Sequence, residues 1–226
     1  MNGLYKLKIN KNGFTLAEVL ITLVIIGVVA ALTISPLVNT YVESSTVAKV
    51  KKGLSILGQA KKLAEVQNGS IEGWDIIAGN NTSLTASQFW NYLKPHISVA
   101  KDCGSSQACY QSNGVHQLNG SLHVQNYNTS SVYYKFALAD GGIMWFRTGL
   151  TGTCSSTEGS FNNVCATFWY DVNGDKAPNT FGRDIFNYVM TVDGVYPVTD
   201  ESCNGSGTGL GCSGYIIRHN NMKYLH

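Results

Sequence analysis

The chain of 226 residues has almost no net charge to work with: the formal total is +2, and charged residues make up 13%. No basic field dominates, which removes the electrostatic case for a dedicated binder of nucleic acid or acidic polymers. Cysteine is absent from the first hundred residues, no CxxC pair occurs, and no histidine follows a cysteine at a zinc-like spacing. A zinc site therefore has no sequence support. The five histidines, His96, His116, His123, His219 and His226, are scattered, and neither HExxH nor GxSxG appears. Hydrolytic chemistry has no motif to rest on, and only a triad assembled in three dimensions would escape that test. Internal repeats and long low-complexity segments are also missing.

What is present begins with six cysteines in three pairs close in sequence: Cys103 and Cys109, Cys154 and Cys165, Cys203 and Cys212. An even set closing short polar loops reads as disulfides, which places the globular part in an oxidising compartment. Six cysteines permit 15 connectivities. Nearest-neighbour pairing is the expectation, with the others left open.

The N-terminal third has a different character. Residues 1–13 form a basic leader with Lys6, Lys8 and Lys11 and no acid, and lysines just before an apolar run hold that end on the cytoplasmic side. From Phe14 to Ile34 the only strongly polar residue is Glu18, and about 20 apolar residues suffice to cross a bilayer as a helix. The apolar run is too long for a secretory signal and lacks a small-residue cleavage site at its end. Residues 14–35 are thus expected to be a transmembrane helix.

The helix is expected to continue through residues 36–68 as an amphipathic second half. There Val38, Tyr41, Val42, Val50, Leu54, Leu57, Ala60 and Ala64 recur at helical spacings, with Lys49, Lys51, Lys52, Lys61 and Lys62 between them. Pro36 is the expected kink, Asn68 and Gly69 the stop, and a single helix from Phe14 to Gln67 would run roughly 80 Å at about 1.5 Å per residue.

Residues 69–226 are expected to form a globular head. TASQFWNYL, residues 85–93, reads as a short helix ended by Pro95. VYYKFALADGGIMWFR turns at Asp140-Gly141-Gly142, CATFWYDV is another strand, and FNYVMTVDGVYPV turns at Asp193-Gly194. The fold class is α+β: a long N-terminal helix whose second half packs on an antiparallel sheet with disulfide-stapled loops. Aromatics around Tyr133, Tyr134, Trp145, Phe146, Phe168, Trp169 and Tyr170 suit a sheet core better than a carbohydrate platform.

One loop invites a metal. In DVNGDKAPNTFGRD, Asp171, Asn173 and Asp175 alternate around a glycine, with Asp184 placed to close a shell. Alternating oxygen ligands are what calcium loops use, although the glycine and acid positions do not fit an EF-hand. A plain Asx turn explains the same residues without a metal.

Gly13-Phe14-Thr15-Leu16-Ala17-Glu18, after a short basic leader and before an unbroken apolar stretch, resembles the type IV pilins and the pseudopilins of type II secretion systems. The resemblance covers roughly the first 65 residues in motif detail. It implies that a prepilin peptidase cuts between Gly13 and Phe14, that Phe14 becomes the methylated terminus, and that Glu18 is the assembly residue, meeting the Phe14 amine of a neighbouring subunit. A lone carboxylate in hydrocarbon costs several kcal/mol unless partnered or protonated, so such a pair gives the charge a reason to exist. The family also implies a kink near Pro36, and calcium in some pseudopilin heads.

The implied role is structural, not enzymatic. The subunit would be a single-pass protein of the bacterial inner membrane with its head outside the cytoplasm. It would later enter a periplasmic or surface filament, as a secretion pseudopilus or a pilus. The partners would be the prepilin peptidase, copies of itself and other pilins or pseudopilins, an inner-membrane assembly platform and membrane lipid, with no clear nucleic-acid or small-molecule partner. The competing reading is a membrane-tethered binding protein or calcium-dependent enzyme that uses residues 14–35 only as an anchor.

Overall fold

The computed structural model describes residues 13–76, 83–105, 109–110, 114–149 and 154–226, without the side chains of Ser35 and Pro36. Two compact units divide the chain between Val42 and Glu43. Helix α1, Leu16–Asn68, contributes residues to both. At its end Gly69 takes a positive φ of 80° and its N–H caps the carbonyl of Glu65 at 2.9 Å. That left-handed turn is cheap for glycine and costly for other residues.

In the first unit no described side chain is buried. Phe14, Leu16, Leu23, Ile26 and Leu32 are all at least 60% exposed. The stretch is long and apolar enough to cross a membrane. The expected kink depends on Pro36, whose side chain lies outside the described residues; its backbone is helical.

The second unit is an α+β head. Its antiparallel sheet consists of β1 (Val99–Gly104), β2 (Tyr134–Leu138), β3 (Ile143–Thr148), β4 (Ser156–Glu158), β5 (Phe161–Asp171), β6 (Ile185–Thr191) and β7 (Val195–Pro197). The strand order is β1-β2-β3-β5-β6-β7, with β4 pairing beside β3 on the same edge of β5. Successive strand side chains point to opposite faces, and here both faces are covered. Met144, Phe146, Phe168, Tyr170, Phe186 and Tyr188 pack with Val50, Leu57, Ala60 and Ala64 of α1, and with Phe89 and Trp90 of α2 (Ser83–Leu93). Ile143, Trp145, Trp169 and Ile185 instead meet Tyr110, Tyr127, Tyr133 and Phe181 from the loops. The aromatics form core, as expected, and apart from the half-buried Tyr134 none is displayed as a platform.

Two features depart from the amphipathic picture of residues 43–68. Gly53 touches the sheet so closely that a Cβ would lie 2.8 Å from Tyr170 Cδ1 and 3.1 Å from Tyr188 Oη. The lysines do not form a separate solvated face. Lys49 Nζ donates to Val172 O at 2.6 Å, Lys51 Nζ to Asn220 Oδ1 at 2.6 Å, and Lys61 Nζ to Val192 O at 2.8 Å. Lys52 pairs with Asp140 at 2.7 Å. Long alkyl stems let these side chains cover apolar surface while the ammonium reaches a distant acceptor.

Disulfides join Cys103 to Cys109, Cys154 to Cys165 and Cys203 to Cys212, leaving no free cysteine. Helix α3, Cys212–His219, starts at the last of these.

Candidate functional site

The N-terminal candidate is built by backbone that has not yet become helical. Gly13, Phe14 and Thr15 precede the first helical residue, Leu16, and Phe14 is 87% exposed. A side chain at Gly13 would meet nothing within 4 Å. Packing therefore does not demand glycine at this position, and an enzyme would find the Gly13–Phe14 bond accessible.

Glu18 has a partner inside its own chain. Thr15 donates to Glu18 Oε2 from its backbone N–H at 2.8 Å and from its hydroxyl at 2.9 Å, and Glu18 N–H donates back to Thr15 Oγ1 at 3.2 Å. This reciprocal pattern is a capping box: it satisfies amide groups that the first helical turn leaves without intrahelical acceptors. The sequence reading gives Glu18 a partner only in a neighbouring subunit and misses Thr15. The signal was available, because Thr-Leu-Ala-Glu is the S/T-x-x-E pattern ahead of an apolar run. The carboxylate is thus held at the very start of the helix, on an exposed surface, by bonds that another donor could replace.

The second candidate is the loop after β5. Asp171 and Asp184 are buried, at 0% and 3% exposure, whereas Asp175 is exposed. Asp171 Oδ1 accepts the Asn173 N–H at 3.2 Å, an Asx turn. Asp184 accepts the N–H of Thr180 at 2.6 Å, the N–H of Asn179 at 2.9 Å and Asn173 Nδ2 at 3.3 Å. Gly174, with φ of 76°, comes so close to Gly141 that a Cβ would stand 2.7 Å from its carbonyl oxygen. Burial, with the nearby Asp184 charge adding to it, pushes the Asp171 carboxyl up to about 9. Burial also raises Asp184, against the bonds from Thr180, Asn179 and Asn173. Asn173 Oδ1 is buried without a hydrogen-bond partner. Three of the four expected residues thus share one bonded cluster, while Asp175 faces outward. Among the described residues no group of three or more His, Cys, Asp or Glu side chains is placed to hold a metal ion.

The histidines serve separate local roles. His123 Nε2 meets the Tyr127 hydroxyl at 3.0 Å, His226 Nε2 meets Glu43 Oε1 at 2.7 Å, and the His219 ring lies 4.4 Å from that of Tyr215.

Comparison with curated proteins and with solved structures yields no match. The head therefore stands on its own geometry. Residues 8–34 do match a family model, described as the prokaryotic N-terminal methylation motif, and its span contains Gly13, Phe14, Thr15 and Glu18. The chain carries at its N-terminal end the motif that is the hallmark of type IV pilin and pseudopilin prepilin-like proteins.

Proposed function

We propose that the protein is a structural subunit, processed by a prepilin peptidase between Gly13 and Phe14, methylated on Phe14 and polymerised through residues 14–34. The observation that carries this reading is Glu18: a carboxylate at the head of an apolar stretch, residues 16–42, in which no described side chain is buried, held among the described residues by Thr15. After cleavage the Phe14 amine of a neighbouring subunit offers Glu18 a charged donor, and a charge-assisted bond is roughly twice as strong as a neutral one. Pairing one Glu18 with one amine would fix the axial stagger between subunits. The subunit waits in the inner membrane with its head outside the cytoplasm, and an assembly platform feeds it into the filament.

Mass spectrometry of the N-terminus of protein isolated from membranes tests the reading. A chain beginning at methylated Phe14 is expected. An intact Met1, or an unmethylated terminus elsewhere, would overturn it in favour of a simple anchor. Deleting the gene then separates the two filament types: loss of exoprotein release assigns a secretion pseudopilus, and loss of surface fibres assigns a pilus.

A second reading concerns the loop at 171–184. Two buried carboxylates in one cluster, beside the unpartnered Asn173 Oδ1, favour a hard cation such as calcium there, which Asp171, Asn173 and Asp184 would hold with Asp175 as an outer group. Calcium titration of the purified protein is expected to raise its melting temperature. An unchanged melting temperature removes the metal.

A further inference from the structure

The second unit holds a groove that the assembly reading does not use. One wall is α1 between Leu54 and Glu65, and the other is the turn after β6 with β7, from Asp193 to Tyr196. The space between them is about 530 Å³, the size of a small-molecule site. It is pinned at one end, where Lys61 Nζ donates to Val192 O at 2.8 Å and to Glu65 Oε1 at 2.7 Å. The helical wall has an unexplained residue. Gly58 lies inside the helix, where glycine costs about 1 kcal/mol relative to alanine. Five residues earlier, Gly53 has a reason to be glycine, because Tyr170 leaves no room for a Cβ. At Gly58 a Cβ would meet nothing within 4 Å. Packing inside the chain does not demand glycine there, yet its bare Cα lines the groove. A molecule that approaches the backbone closely would demand it.

The charges say what kind of molecule that is. Lys62 and Asp193 are exposed and stand on opposite walls. Among the described residues, neither the ammonium nor the carboxylate has a hydrogen-bond or ion-pair partner. The bond from Lys61 to Val192, the residue before Asp193, sets the two charges at one level along the helix. A cation and an anion facing one gap complement a molecule that carries both signs a few atoms apart. One helical turn back, about 6 Å, lies Gly58, with Leu54, Val195 and Tyr196 lining the groove beyond it. Tyr196 is 39% exposed, and Phe161 braces its ring, stacked at 5.8 Å. That end offers apolar contact instead of charge.

We propose that the groove binds a free α-amino acid with a large apolar or aromatic side chain. Lys62 takes the carboxylate, Asp193 takes the ammonium, and the side chain runs over Gly58 towards Tyr196. Both head-group contacts are charge-assisted, which makes them the stronger kind of hydrogen bond. The site lies wholly within the second unit and is independent of the filament reading.

The test titrates L-phenylalanine into the full chain in detergent micelles and follows binding by ligand-observed NMR. Dissociation constants in the millimolar range are expected for a ligand of this size. Phenethylamine lacks the carboxylate and hydrocinnamate lacks the ammonium, and each is expected to bind about tenfold more weakly. Asp193→Asn should weaken phenylalanine about tenfold and leave hydrocinnamate unchanged. Gly58→Leu should fill the groove and abolish binding of all three, while the melting temperature holds because the added Cβ meets nothing. Should that variant fail to fold, the exposed Asp193→Asn still decides the matter. Absence of phenylalanine binding would overturn the proposal. So would equal binding of phenethylamine or hydrocinnamate, or phenylalanine binding that Asp193→Asn leaves intact.

Discussion

Residues 16–42 and 43–68 belong to one helix, yet they obey different rules. In the first stretch apolar side chains surround the axis and no described side chain is buried. In the second, Val50, Leu57, Ala60 and Ala64 are fully buried; Lys49, Lys52 and Lys61 bond to loops of the sheet and Lys51 to the end of α3. Backbone hydrogen bonding is satisfied in both, so the contrast lies in what covers the side chains. A helix apolar on every side needs an apolar environment all round it, whereas one with an apolar stripe needs a single packed surface. The head supplies the second requirement, and the first stretch is long and apolar enough to cross a membrane.

That contrast can be broken by mutation. Glu18→Ala should have the largest functional effect: complete loss of filaments in electron micrographs, with membrane insertion and the melting temperature of the head unchanged. Normal filaments from this variant would show that the carboxylate does not set assembly. Trp90→Ala should do the reverse. Its ring is 1% exposed and stacked 4.2 Å from Phe136. Its removal should cost about 3–5 kcal/mol by denaturant titration, whereas Ile25→Ala should leave that titration unmoved.

Gly53→Ala is a smaller and sharper probe. Helix propensity alone favours alanine by about 1 kcal/mol. The new methyl, however, would press on Tyr170 and on Tyr188, whose hydroxyl is tied to Val50 O at 2.7 Å. Overpacking costs of about 1–3 kcal/mol should win, giving net destabilisation. The same change at Gly27, where a Cβ meets nothing within 4 Å, should cost nothing. The weakest effect should come from acid. Burial lowers the His123 pKa below its ordinary 6.5, so unfolding takes up a proton that the folded state resists. The stability associated with neutral His123 is fully present above about pH 6.5 and is lost as pH falls below it. His123→Phe should therefore flatten the acid limb of melting temperature against pH.

Much of the architecture was legible because it rests on local patterns. The long helix ends within a residue of expectation, since Gly69 is a common stop. The helix expected at residues 85–93 is observed at Ser83–Leu93, and both glycine-marked hairpins formed. Strands β1 and β4 were not legible. VAKDCG carries little apolar alternation, and STE is three residues long and exists because β5 extends past β3 and offers it an edge. Helix α3 lies in a glycine-rich region and depends on the Cys203–Cys212 link and on packing against β6 and β7. At the candidate site, Gly13, Phe14 and Glu18 could be picked out as a motif, but the bonds from Thr15 needed capping rules rather than hydropathy. Lysine partners were the least accessible. Sequence spacing places Lys49 and Lys61 on a helix, but cannot say that their ammonium groups reach carbonyls 123 and 131 residues away.

Those lysine contacts have a mechanical consequence. Lys49, Lys51, Lys52 and Lys61 grip acceptors at four places along a short length of helix. A force drawn along the helix axis would load these bonds together, in shear, instead of peeling them away one after another. Shared loading lets a set of individually modest contacts withstand a pull that would open each in turn.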